Sequence, residues 1–275
     1  MDMTPCARCA GTVAPDGHCW DCGLNQTDFR AHVESTVDGA AFVTNRGLRR
    51  AVNADAVVLT TAGEWTVGVV CDGVSLSARP ERAAQVAAEA GASTLVKALT
   101  VNTLPETALT DSVAHAARAV AALAGGPSTL GVAPATTYVA AVVGPQGLWA
   151  AGVGDSRAYW LPDEGPGLLL TEDDTSEHDA LTAWLGADAS DPRPRLRGHR
   201  PSCAGRVLLC TDGLSRYLAD PAELRAAAGP GDSLHAARAL VGHALAAGGH
   251  DNVTAALIPV PPRRPAAPTT AAPPR

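Results

Sequence analysis

Apolar positions along the chain change their period several times, and each change marks an element. In EWTVGVVCDG (64–73), Val67, Val69 and Cys71 alternate with Thr66, Gly68 and Val70, the period of two of a β-strand. ATTYVAAVVG (135–144) and LWAAGVGD (148–155) predict two more strands. The link between them is Gly144, Pro145, Gln146 and Gly147, which is hairpin chemistry. RVLLCTDG (206–213) is a short, wholly apolar strand, and NVTAALIPV (252–260) completes the set. Helical spacing takes over elsewhere. Residues 80–99 start on Pro80 and residues 105–124 on Pro105, a residue suited to a first turn. Leu109, Val113, Ala116, Val120 and Leu123 form one helix face, which Gly125, Gly126 and Pro127 stop. A third helix, 232–247, carries Leu234, Ala237, Val241 and Ala244 on one face. Strand-rich ends around paired helices do not fit βαβ alternation. They fit sheets of mixed or antiparallel strands flanked by helices.

Composition refines this picture without changing it. At 275 residues and 46% hydrophobic, the chain suffices for one large domain, or one domain with a small module. A net charge of -7 argues against bulk attraction to nucleic acid or acidic membranes and suits a protein that collects divalent cations. No apolar run reaches the length of a spanning helix, and MDMTPCARCA has neither the basic flank nor the apolar stretch of a secretory signal. The expectation is a cytoplasmic protein. The last residues, PVPPRRPAAPTTAAPPR (259–275), end in what reads as a disordered Pro-rich tail over 261–275: a spacer, or less readily a polyproline ligand for a protein partner.

Residues 1–25 hold four of the seven cysteines. Cys6 and Cys9 form one C-x2-C pair, and Cys19 and Cys22 form another, each in a knuckle-like context (CARCAG, CWDCG). Four thiolates in that spacing suit one tetrahedral, structural Zn²⁺, and the segment is similar to a short zinc ribbon. In a reducing compartment zinc outweighs two disulfides or four free thiols. His18 is read as solvated, since four thiolates suffice. Such a ribbon caps a domain or offers a surface to a partner. A nucleic-acid role is disfavoured, because residues 1–25 contain one Arg and no Lys.

Chemistry elsewhere rests on aspartates. Asp72 ends a strand before Gly73; Asp212 does the same before Gly213; Asp155 ends the strand in GVGDSRAY; Asp251 precedes a strand in GGHDNVT. A carboxylate at a strand end can project into a cleft while the strand stays packed, and hard oxygen ligands of this kind suit Mg²⁺ or Mn²⁺. Singly, each Asp-Gly is a common turn signal. Their order and contexts carry the information.

RGLRRAVNAD (46–55), VVCDGV, ATTYVAAVV, GVGDSRAYW, LLCTDGLSRYL and GGHDNVT occur in the order found in the protein phosphatase 2C (PPM) family, and the resemblance covers roughly 38–260. It implies an α+β fold of two packed, mainly antiparallel sheets flanked by helices, an α-β-β-α sandwich, with the small zinc ribbon (1–25) ahead of it. It also implies metal-dependent hydrolysis of phosphoserine and phosphothreonine in proteins by a water activated between two metal ions. Residue by residue, Asp72 bridges two Mn²⁺ or Mg²⁺ ions with the Gly73 carbonyl on one, and Asp212 and Asp251 complete the other. Asp155, with Asp212, serves a third, weaker site. Asp55 holds metal-bound waters, and Arg50 binds the substrate phosphate. Arg157 supports its strand end. Cys71 and Cys210 are core residues before the metal aspartates.

Ala54 stands where many members have Glu or Gln, and VSLSARPE after Gly73 lacks the further glycines and the His common there. The segment 172–203, rich in charge, Pro and His, is read as containing a variable, flap-like loop near the active site. His178, His199 and His250 are read as surface or supporting residues, and Asp173, Asp174 and Asp179 as a solvated loop. Three functions remain in view: an active phosphatase on phosphoproteins; a catalytically weak regulatory member that binds phosphoproteins or a partner through its ribbon; and a nucleic-acid binder.

Overall fold

A computed structural model of the chain describes residues 5–14, 17–26, 30–124, 133–178, 180–190 and 193–262. The elements are β1 (His32–Val37), β2 (Ala40–Asn45), β3 (Asp55–Ala62), β4 (Trp65–Asp72), helices α1 (Pro80–Thr100) and α2 (Pro105–Ala121), β5 (Ala135–Thr136), β6 (Tyr138–Gly144) and β7 (Gly147–Val153). Then come β8 (Arg157–Pro162), β9 (Leu168–Leu169), β10 (Leu185–Gly186), β11 (Arg195–His199), β12 (Gly205–Cys210), α3 (Asp212–Ser215), α4 (Pro221–Ala228), α5 (Ser233–Ala246) and β13 (Val253–Val260).

The strands form two large sheets, ordered β11-β7-β6-β4-β3 and β1-β2-β13-β12-β8-β9, with every pairing antiparallel. Helices α1 and α2 cover the outer face of the first sheet, and α4 and α5 cover that of the second. This is the expected α-β-β-α order of layers. The alternation within β4 has a physical reading: both faces are buried. Val67, Val69 and Cys71 pack under α1 and α2, whereas Val70 faces the other sheet. In β6, Tyr138, Ala140 and Val142 face the helices, and Val139, Ala141 and Val143 meet Val207, Leu209, Ala256 and Ile258 between the sheets. A strand buried on both faces reads as a continuous apolar run, as β6 and β12 do.

Three expectations shift. The sandwich begins at β1, six residues before 38, because His32–Val37 pairs with β2 through an exposed, polar edge whose sequence lacks a strong strand signal. The segment 172–203, read as containing a flap-like loop, also supplies a strand that was not signalled: β11, an edge strand of the first sheet against β7. Helix α4 was not signalled as a helix, yet it is capped by Asp220, whose side chain accepts from the amides of Ala222 and Glu223. The stop at Gly125–Pro127 and the tail from residue 263 lie outside the described residues, as does Asp179. No helix among the described residues is long and apolar enough to cross a membrane.

Ahead of the sandwich, all four N-terminal cysteine sulfurs lie within 4.8 Å of one another. Sγ–Sγ separations are 3.6 Å for Cys6–Cys22 and 3.5 Å for Cys9–Cys19, too long for disulfides and close to the edge of a tetrahedron with ~2.3 Å zinc–sulfur bonds. The Arg8 amide points at the Cys6 sulfur, as a knuckle requires. Exposed His18 pairs through its backbone with Asn25 and is not in the sulfur cluster.

Candidate active site

The antiparallel topology carries the aspartates to one end of the sandwich. Asp72 is the last residue of β4, and Asp55, the first of β3, stands directly opposite it in the ladder. Asp155 follows β7 in the same sheet. In the facing sheet, Asp212 follows β12 and Asp251 precedes β13, whose first turns are neighbours through the Cys210–Ala255 pair. Five carboxylates thus converge from five strand ends.

Local bonds hold each end in place. The Asp72 amide donates to Thr137 Oγ1 at 3.0 Å, and the Asp72 carbonyl accepts from Thr136 Oγ1 and from the Thr137 amide. Thr137 Oγ1 in turn meets Ser156 Oγ at 2.7 Å, which ties the Asp155 loop to the end of β4. Both Asp-Gly steps need glycine because backbone passes too close for a side chain. A Cβ at Gly73 would sit 2.4 Å from the Pro80 carbonyl oxygen, and one at Gly213 would sit 1.9 Å from that of Asn252.

Asp55 is fully buried. Its Oδ2 accepts from Thr254 Oγ1 at 2.7 Å and from Thr211 Oγ1 at 2.9 Å, while Oδ1 is buried without a partner. Asp212 Oδ1 is likewise buried and unpartnered. Such orphaned oxygens are costly unless a cation or proton meets them. Burial pushes the Asp72 carboxyl well above its ordinary range, and Asp55, Asp212, Asp155 and Asp251 add to the push. Burial, partly offset by the Thr254 and Thr211 hydroxyls, takes Asp55 up to about 7; burial and then Asp212 take Asp155 up to about 6. Two guanidiniums face the five carboxylates. Arg50 donates from Nε to Asp251 Oδ1 at 2.8 Å and from Nη2 to Oδ2 at 2.5 Å. Arg216 lies 2.6 Å from Asp212. Hard oxygen donors with unmet negative charge fit divalent cations of the Mn²⁺ or Mg²⁺ type.

A pH dependence follows. In the unfolded chain these carboxyls titrate near ~4, below their folded values. Between about pH 4 and pH 7 the folded protein therefore binds more protons than the unfolded chain, and stability falls as pH rises. Protein stripped of Mn²⁺ and Mg²⁺ is expected to melt at a higher temperature at pH 5.5 than at pH 7.5, with Mn²⁺ restoring more stability at pH 7.5. Thermal unfolding monitored by circular dichroism checks this, and a melting point that rises with pH in stripped protein contradicts it.

Other sequence expectations meet the structure unevenly. Arg157 supports its strand end: Nε and Nη2 donate to Asp173, and Nη1 donates to Tyr159. Asp173 and Asp174 are consequently not a solvated loop. Asp174 accepts from the Gly154 amide at 3.0 Å and from Arg195, so both carboxylates brace the turn that ends in Asp155. His199 lies tilted against Trp160, and His250 meets Tyr217 edge-on; among the described residues neither is a hydrogen-bond partner of the site's aspartates. Asn252 has a place that sequence did not signal. Its Oδ1 accepts from the Ala54 amide at 2.8 Å, and its Nδ2 donates to the Arg46 and Val52 carbonyls. It thereby clamps the segment that carries Arg50 and Asp55 onto the Asp251 loop. Its position next to Asp251 was the available hint. For Arg216 the hint was its spacing four residues after Asp212 on a helix.

The sequence matches the protein phosphatase 2C family over residues 48–240. No curated protein matches it at a significant level. Among solved structures, a bacterial serine phosphatase superposes with a TM-score of 0.69 at 23% identity, covering 82% of this chain and 98% of that one; at that identity the likeness is one of fold. A PPM Ser-Thr phosphatase of Mycobacterium smegmatis, MsPP in complex with cacodylate, is 26% identical over 82% of this chain and 100% of that one (TM-score 0.64). The catalytic domain of the serine threonine protein phosphatase PstP, solved with two manganese ions, is 27% identical over 83% of this chain and 99% of that one (TM-score 0.62). The matched stretch spans well over half of the residues, so the chain belongs to the protein phosphatase 2C family and is a protein serine/threonine phosphatase.

Proposed function

We propose that this chain hydrolyses phosphoserine and phosphothreonine in proteins at the aspartate cluster, with two Mn²⁺ or Mg²⁺ ions held by Asp72, the Gly73 carbonyl, Asp212 and Asp251. The observation that carries the reading is the convergence of five carboxylates with two buried, unpartnered oxygens, Asp55 Oδ1 and Asp212 Oδ1. The PstP catalytic domain, a relative of the same fold, holds two manganese ions, which supports the choice of metal. When bound, the ions supply Lewis-acid charge to the phosphoryl oxygens and lower the pKa of a water, so that no enzyme nucleophile is required.

The chain's own residues do the rest. Arg50 uses Nε and Nη2 on Asp251, so an ion on Asp251 would share those oxygens with the guanidinium, and Nη1 is left for a phosphate oxygen; a planar, permanently charged fork suits both tasks. Asp55 keeps Oδ2 fixed between Thr211 and Thr254 and leaves Oδ1 buried and open to a proton or a water held in the site, with a proton affinity near neutrality. The buried thiols Cys71 and Cys210 are pushed up by burial and stay protonated, so neither is a thiolate nucleophile.

Cys6, Cys9, Cys19 and Cys22 are read as the ligands of one structural Zn²⁺ in a module of residues 1–25, ahead of a phosphatase domain reaching to residue 260. The module's exposed Trp20 makes it the candidate face for a protein partner.

The experiment is phosphate release from a phosphothreonine peptide by the full chain, with and without Mn²⁺. Release that needs Mn²⁺ and stops on chelation is expected. No release under any divalent metal, with the protein folded, sinks the assignment.

A further inference from the structure

Arg216 caps the C-terminal end of α3, one turn after Asp212. Its Nη2 lies 2.6 Å from Asp212 Oδ2, where the Asp212 side chain is only 14% exposed and the Arg216 side chain is 63% exposed. Asp212 Oδ1, by contrast, is buried without a partner. The two oxygens of one carboxylate are therefore divided. Oδ2 is committed to a guanidinium at the rim, and Oδ1 remains for the interior shared with Asp72. After Asp212, the carboxylates that Arg216 feels most are Asp155 and then Asp251. Asp155 and Asp212 form the corner to which the family resemblance gives a third, weaker ion.

We propose that the Arg216 guanidinium is the resident cation of the Asp155–Asp212 corner, so that this chain holds two divalent ions at its aspartates and no third. The proposal rests on the metal-centre reading above. Three physical points support it. A third ion would have to share Asp212 Oδ2 with Arg216 or displace it. It would also sit against a like charge a few ångströms away. With Arg216 kept on Asp212, the ion would lean chiefly on Asp155, a poor site for an ion that prefers several oxygen ligands. An arginine suits the post because it remains charged at any working pH and its fork fixes orientation. The corner then keeps its positive charge through chelation and dilution, and metal dependence reflects the Asp72 pair alone.

The test counts ions rather than activity. The full-length protein, with its zinc measured separately, is dialysed to equilibrium against rising Mn²⁺ and the bound manganese is read by mass spectrometry. Wild type is expected to level off at about two ions per chain. Arg216→Ala frees Asp212 Oδ2 and removes the cation felt by Asp155, and is expected to level off at about three, the added one weak. Arg216→Ala combined with Asp155→Asn returns to about two, which separates a true third site from nonspecific uptake. Arg216→Lys, which keeps the charge, stays at about two. A wild-type plateau of three, or an Arg216→Ala plateau unchanged from wild type, overturns this inference and leaves the metal-centre reading intact. A wild-type plateau of zero overturns both.

Discussion

Asp72→Asn is expected to reduce manganese-dependent turnover of a phosphothreonine peptide by about 10³-fold or more, because it removes charge where two cations are to be held together. The substitution keeps shape and leaves the backbone bonds to Thr136 and Thr137 in place, so the fold should persist. A second readout distinguishes a site effect from damage. Asp72 feels Asp55, Asp212, Asp155 and Asp251 together, so neutralising it relieves repulsion. Metal-stripped Asp72→Asn should therefore melt above metal-stripped wild type while binding less Mn²⁺. A variant that is less stable without metal and equally active with it would show that Asp72 is structural.

Asn252→Ala is expected to cost about 2–4 kcal/mol of stability, since it strands the buried Ala54 amide and the Arg46 and Val52 carbonyls at once. For a chain of this size that lowers the melting temperature on the order of 5–10 °C. Activity should fall further than stability explains, through a raised KM, because Asn252 pins the segment from which Arg50 reaches Asp251. Asn252→Asp keeps the acceptor for Ala54 but loses the donor to both carbonyls, and should recover only part of the loss. Thermal melts and steady-state kinetics on the two variants check this. Near-wild-type stability in Asn252→Ala would contradict the clamp.

The buried centre of the fold was the legible part. Strands β4, β6, β7, β12 and β13 are packed on both faces, so their sequences are apolar runs bounded by turn residues, and the Pro-initiated helices announce their own starts. Edge elements were less visible for the same physical reason. β1 and β11 are largely exposed, and residues that meet water carry weak periodicity. At the site, the aspartates were readable because each one ends or precedes a strand and is set in a distinctive string. What braces them was not. Asp173 and Asp174 look like a charged loop until Arg157 and the Gly154 amide are seen against them. Thr211 and Thr254 hold Asp55 across 156 and 199 residues of sequence, and a hydroxyl's partner at that separation leaves no local pattern. Arg50 was expected on the substrate phosphate; here it is bonded to Asp251, and its phosphate role belongs to the proposed enzyme–substrate complex.

The most direct measurement is a crystal structure of the manganese-loaded protein with anomalous data collected on both sides of the manganese and zinc edges. Two manganese peaks should lie among Asp72, the Gly73 carbonyl, Asp212 and Asp251, with one zinc peak amid Cys6, Cys9, Cys19 and Cys22. Manganese absent from those aspartates at saturating concentration, or bound elsewhere while the cluster stays empty, would contradict the assignment of this end of the sandwich as the phosphatase centre.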